Sequence, residues 1–373
     1  MLIKKILKKI IGKKLFKKIF YKNVSILSAK DFKNWWILYK KNNLIDQDLE
    51  LMVNNLVLSK SFSSYSPYWN ALAKDHIKIL SEKGIQNFKQ TIEKHHYWGE
   101  GTINSELLKP IYENKILIDY EKSELSRKHD FCEIEESKEY NKSNLILLNF
   151  LINNNYQKYL EILEETSFGN PIIFNYKNKA YSFSLLNSIL EIDILEKNIN
   201  LNKVNEVLEI GAGSGRTCSS LLTLRKNLRY TIVDIPPALF ISQSNLINVF
   251  KDKKIFKYRA FDKFSDIEKD FIASDIKFLS PEQLRLIPKK YYDLSIAIDC
   301  LHEMNKIQVE WYFNEFDRLS KNLFFKSQNI QWAIFERNKY TIDNYPVKSA
   351  WSKILHEKCY IPNGYFQAIY KIN

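Results

Sequence analysis

The sequence predicts an α/β protein, a doubly wound and mostly parallel sheet in the C-terminal half preceded by a mainly helical N-terminal region. Three observations lead there. After Gly169-Asn170-Pro171 short β-rich runs alternate with helical ones, the signature of parallel strands joined through helices. A glycine-rich turn, Gly211 to Gly215, stands between an apolar run and a helical pattern. From about Phe32 to Glu165, apolar residues recur at helical spacing with few strand signals. At 373 residues the chain has room for two packed units, and its 45% hydrophobic and 14% aromatic content excludes intrinsic disorder.

Three regions are expected: residues 1–22, 23–165 and 166–373. In the first, Leu2, Ile3, Ile6, Leu7, Ile10 and Ile11 occupy one helical face and Lys4, Lys5, Lys8 and Lys9 the other. The stripe resumes at Leu15, Phe16, Ile19 and Phe20, and Gly12 marks a bend that lets both stripes share a surface. Nine of the 56 basic residues and none of the 43 acids lie in this segment, so beyond it the excess of bases falls from 13 to four. A basic amphipathic helix on a near-neutral body reads as a segment lying on an anionic membrane surface, or as one packed on protein with its lysines in solvent.

The helical region reads as helices over 31–39, 46–58, 68–80 and 85–93, a charge-dense loop or insertion over 121–142, and a helical pattern over 145–163. The sheet region reads as strand 206–210, helix 214–224, strand 230–234, helix 237–250, strands 276–279 and 292–298, helix 306–319, strand 322–327 and a terminal strand 365–372, with 256–261 a candidate extra strand. There is no internal repeat.

Cys132, Cys218, Cys300 and Cys359 stand far apart with no Cys-x-x-Cys pair, which gives neither a disulfide framework nor a zinc ribbon and points to a reducing cytosol. No apolar run approaches the ~20 residues of a membrane span, and lysine pairs interrupt the N-terminus where a signal peptide would be apolar. No His, Asp or Glu spacing marks a metal site, so none is expected.

Val207-Leu208-Glu209-Ile210-Gly211-Ala212-Gly213-Ser214-Gly215-Arg216 is an apolar strand entering a glycine turn and then a helix, with Asp234 ending the next strand. That arrangement builds a nucleoside site at the carboxyl edge of a doubly wound sheet, with Asp234 placed to accept from two ribose hydroxyls. A dinucleotide loop would carry Gly-x-Gly-x-x-Gly. Here the spacing is Gly-x-Gly-x-Gly followed by Arg216, and the acid Glu209 precedes the first glycine by two. The segment resembles the S-adenosylmethionine (SAM) loop of methyltransferases.

Tyr230-Thr231-Ile232-Val233-Asp234-Ile235-Pro236-Pro237 is similar to the second motif of the sugar O-methyltransferases found in bacterial surface-polysaccharide loci. Gly169-Asn170-Pro171, Phe278-Leu279-Ser280-Pro281, Tyr292-Asp293-Leu294, His302-Glu303-Met304, and Tyr345-Pro346 with Trp351 follow that family's order, with echoes upstream at Trp69 and Asn87-Phe88-Lys89. The resemblance covers about residues 165–373. It implies a SAM-dependent Rossmann-like methyltransferase whose cofactor would be held by Glu209, Gly211, Ala212, Gly213, Gly215, Asp234, Ile235, Leu279 and Asp299. The chain departs from the family at Ser214, where an aromatic is frequent, and at Asp299-Cys300.

Methyl transfer to a hydroxyl needs alignment and a proton acceptor. His302, just past the fourth strand of the motif order, is the candidate base, with Asp299 and Glu303 as orienters and Glu303 as the competing base. His95-His96-Tyr97-Trp98 reads as a sugar-binding roof or a packed core stripe. The expected acceptor is a sugar, nucleotide sugar or glycan, and the expected location is the cytoplasm, with peripheral contact at the inner membrane face through residues 1–22. Nucleic acid is not expected as a partner. Enzymes methylating its amino groups carry an Asn/Asp-Pro-Pro-aromatic turn where Ile298-Asp299-Cys300-Leu301-His302 stands, and there is no Pro-Cys pair for cytosine chemistry. The alternatives are a nucleic-acid methyltransferase, suggested only by the basic pI, and a non-catalytic SAM-binding scaffold docked on a membrane.

Overall fold

The computed structural model describes residues 26–59, 66–92, 134–328, 340–341, 343–359, 361 and 364–373. The 1–22 stripe, His95 to Trp98 and Cys132 lie outside the described residues.

Helix α1 (Ala29–Asn42) starts where the Ser28 hydroxyl accepts the Asp31 N–H at 3.1 Å, and α2 (Gln47–Leu58) where the Asp46 carboxylate accepts from Asp48 and Leu49. Helix α3 (Pro67–Lys83) has proline in its first turn and stops at Gly84, whose φ is +76°. The short α4 (Phe88–Thr91) follows. Helix α5 (Ile134–Asn153) corrects the expectation of a loop through residue 142: residues 135–142 lack an apolar stripe, yet they extend a helix already nucleated by the apolar run from Leu145. The pattern over 145–163 is two helices, because Asn155 turns left-handed (φ +66°) before α6 (Gln157–Ile162).

Strands β1 (Phe174–Tyr176) and β2 (Lys179–Tyr181) form a hairpin through Lys177 and Asn178, both at positive φ as a two-residue primed turn requires. Helix α7 (Phe183–Asn198) follows, its Ser182 hydroxyl accepting the Leu185 N–H at 3.1 Å. Neither element was expected from the sequence.

The main sheet comprises β3 (Glu206–Ile210), β4 (Arg229–Val233), β5 (Ile255–Phe256), β6 (Ile276–Leu279), β7 (Leu294–Ile298), β8 (Asn322–Gln328), β9 (Ser352–Lys358) and β10 (Tyr365–Lys371). Their order is β5-β6-β4-β3-β7-β8-β10-β9. Pairing is parallel from β5 to β8, and β10 enters antiparallel between β8 and β9. The candidate extra strand over 256–261 is corrected to the two-residue edge β5, which shares only Phe256 with it. Helices α8 (Arg216–Leu224), α9 (Ala238–Val249), α10 (Glu268–Ile272) and α11 (Lys306–Leu319) connect the strands. The mostly parallel, doubly wound Rossmann-like sheet anticipated from the sequence is the observed one. The edge strand β9 escaped prediction, since most of its side chains are exposed and carry no alternating apolar signal.

One sheet face and the N-terminal helices share a continuous core that runs from Phe32 and Trp36 through Leu147 and Ile189 to Ile232 and Ile369. A second core, with Leu208, Phe313 and Tyr370, fills the other face. Strand succession reverses at β3, flanked by β4 and β7, which opens a crevice at the carboxyl ends of these strands. Among the described residues, no helix is long and apolar enough to cross a membrane.

Candidate active site

The crevice holds a cavity of about 280 Å³, close to the lower end of the range for small-molecule sites. Its floor is the glycine turn. Gly211 at φ +69° donates its N–H to the Val233 carbonyl at 2.9 Å, and a Cβ there would stand 2.5 Å from the Cys300 Cβ. Gly213 at φ +59° faces open space on the cavity wall, so a ligand can approach its backbone directly.

Asp234 follows β4 and is buried. One of its carboxylate oxygens accepts the Gly213 N–H at 2.9 Å and the other the Ile235 N–H at 2.7 Å, tying the strand end to the turn. Burial pushes its carboxyl up to about 7 against those two bonds. Glu209, also buried, accepts from the Tyr230 hydroxyl at 2.9 Å, and burial likewise raises it to about 7.

Asp299 follows β7 in a left-handed conformation (φ +56°), with one oxygen 4.0 Å from both the Arg216 guanidinium and the Lys326 ammonium. Those two cations converge on Glu191 of α7. The Arg216 guanidinium reaches it at 2.7 and 3.1 Å and the Lys326 ammonium at 2.8 Å. Burial alone would raise Glu191, but Arg216 and Lys326 hold it down at about 2.

His302 and Glu303 sit in a single 3-10 turn after β7. The His302 Nδ1 lies 3.3 Å from the Ser327 hydroxyl, which bonds the Tyr345 hydroxyl at 2.7 Å, and the Nε2 lies 3.4 Å from the Tyr365 hydroxyl. Gln328 donates to that Tyr365 oxygen at 2.9 Å. Burial lowers His302 to about 4, so the ring is neutral at physiological pH. Burial, then the charges of Asp299 and Asp234, push Glu303 up to about 8, with the Trp69 indole acting in the opposite direction.

Of the residues singled out in the sequence, Glu209, Gly211, Ala212, Gly213, Asp234, Ile235, Asp299, His302 and Glu303 line this one cavity. Gly215 and Leu279 do not. A Cβ on Gly215 would meet Leu246, so it serves the packing of α8 on α9, and Leu279 is fully buried in the second core. The structure adds His76 of α3, Asn187 of α7, Tyr312 of α11 and Tyr365 of β10. Of these only His76 had a legible signal: it falls seven residues after Trp69 on one predicted helix, and both line the wall.

No family model matches the chain, and no curated protein does. Among solved structures, similarity is found to an O-methyltransferase family protein from Burkholderia thailandensis (11% identity, 50% of this chain and 56% of that one, TM-score 0.35). It is found also to a mitomycin 7-O-methyltransferase (12%, 50% and 57%, 0.32) and to a SAM-dependent methyltransferase from Aquifex aeolicus (12%, 48% and 89%, 0.29). The chain thus spans little more than half the length of the first two.

Proposed function

We propose that the protein is a SAM-dependent O-methyltransferase that modifies a sugar hydroxyl during synthesis of a bacterial surface polysaccharide such as capsule, O-antigen or lipooligosaccharide. The observation that carries the reading is the junction of the glycine turn with Asp234 at the strand-order reversal. The residues present fit SAM. Gly213 leaves backbone open to a ligand, Asp234 keeps further lone pairs beyond its two backbone bonds, and four carboxyls on the wall suit a cationic ligand. Glu209, Gly211, Ala212, Gly213, Asp234, Ile235 and Asp299 would hold it. The sugar acceptor is supported by the order of sequence motifs.

When bound, SAM supplies a methyl group on an electrophilic sulfonium. The chain's own task is to align a hydroxyl and take its proton. His302 is the better base of the two candidates, because at pH 7 its imidazole is free while the Glu303 carboxyl is mostly protonated. Its low basicity limits the driving force, and the neighbouring Glu303, 4.0 Å from Nε2, stabilises the imidazolium once Glu303 ionises. Glu303 in its neutral form donates a hydrogen bond instead.

Titration calorimetry with SAM and with NAD tests the reading. SAM should bind and NAD should not, and Asp234→Ala should weaken SAM by about 1.5–3 kcal/mol, the range for hydrogen bonds to a charged group. Binding of NAD alone, or unchanged SAM affinity in the variant, would discard it. SAM binding with no transfer to any glycan would favour the non-catalytic scaffold.

A further inference from the structure

We infer that the acceptor enters this cavity as an uncharged, hydroxyl-bearing ring already free of its nucleotide carrier, seated on the wall formed by Trp69 of α3 and Glu303. The inference rests on the methyltransferase reading and narrows it to one acceptor class.

Two sets of observations meet here. Trp69 and His76 project from one face of α3 onto the cavity wall, which Glu303, the neighbour of the candidate base, also lines. The helical region therefore completes the site at the place where an accepting hydroxyl has to lie. An indole offers a flat apolar face to the C–H side of a sugar ring, and the adjacent carboxyl offers hydrogen bonds to its hydroxyls.

Charge then selects the class. Among the described residues, the wall carries the carboxyls of Glu209, Asp234, Asp299 and Glu303 against one guanidinium, Arg216, whose nitrogens already bond Glu191 and Ser188. The carboxyls are close enough that Asp299 and Asp234 help to raise Glu303. A pyrophosphate would bring two negative charges to an acidic wall on which, among the described residues, the single lining guanidinium is already engaged. A neutral ring adds none.

The test uses the full chain, tritiated-methyl SAM and two acceptor pools from a strain lacking the protein. One pool is the nucleotide sugars retained on an anion exchanger. The other is the glycan polymer, separated from phosphate-bearing lipid-linked saccharides and hydrolysed to monosaccharides after reaction. Label is expected in an uncharged monosaccharide from the second pool. Label in a nucleotide sugar, or in a uronic acid or sugar phosphate, overturns the inference and leaves the methyltransferase reading standing. Label in neither pool overturns both. With the labelled pool as acceptor, Trp69→Ala should raise its KM at least tenfold and leave SAM affinity within twofold. Trp69→Phe, which keeps a ring and loses the indole N–H, should fall between and guards against misfolding of the alanine variant. An unchanged acceptor KM in both variants overturns the seat assigned to Trp69.

Discussion

Single side chains in the cavity make opposite demands on protons, and pH should separate them. Asp234 and Glu209 are raised to about 7 and Glu303 to about 8, all chiefly by burial. A carboxyl raised above its unfolded value contributes stability that is complete below pH ~4 and is lost as pH climbs through the folded value. The ligand-free protein should accordingly lose stability chiefly between about pH 5 and 8. A sulfonium favours the ionised carboxylates, so SAM affinity should rise over that interval with release of protons. Calorimetry at pH 6.5 in two buffers of different ionisation enthalpy measures the release; affinity independent of pH would contradict the charge argument. His302 behaves differently, being neutral throughout this window. His302→Ala should keep SAM affinity and lose about 10² to 10⁴-fold in single-turnover methyl transfer, with partial recovery at high pH. A loss under tenfold with an unchanged pH profile would make it a binding residue.

Between elements, the joint most exposed to a single change is the one Glu191 makes from α7 to α8 and β8. Its carboxylate, with 1% of the residue exposed, bonds both the Arg216 guanidinium and the Lys326 ammonium. Removing one partner of a buried pair leaves the others uncompensated, a loss of about 3–5 kcal/mol. Glu191→Ala should therefore lower the denaturant midpoint sharply, while Lys158→Ala at the exposed pair with Glu196 should change it little. Because Glu191 is held at about 2, below its unfolded value, its contribution is present above pH ~4.5 and disappears as pH falls towards 2. Acid unfolding of the wild type should be steeper in that range than that of Glu191→Gln. Parallel profiles would show that the triad is not what acid breaks.

At the scale of the whole molecule, the continuous core from Phe32 to Ile369 makes the helices and the sheet one packed body, and the cavity takes walls from both. Residues 1–22 are a separate proposal. Their nine lysines contribute about 1 kcal/mol each near an anionic surface, and the apolar stripe adds burial. Deleting them should leave thermal stability and SAM affinity unchanged and abolish sedimentation with phosphatidylserine vesicles at physiological salt. Equal sedimentation with and without the segment would end the membrane proposal.

The sequence by itself determined the parallel sheet, the glycine turn, Asp234 and the His302 loop. Each is a local pattern: strand, turn and helix chemistry is written in consecutive residues, and Gly211 to Asp234 span a single β-α-β unit. What it left open were elements without a stripe, such as residues 135–142 of α5 and the exposed β9, because periodicity registers only where one face is buried. Only the tertiary structure decided that Glu191, Arg216, Lys326 and Asp299 form one charge cluster, that Trp69 and Glu303 line one cavity, and that Tyr365 backs His302. It also decided the protonation of the site, moving Glu303 up and His302 down. Desolvation depends on everything packed around a group, and contacts between residues from 25 to 135 positions apart leave no spacing in the chain to read.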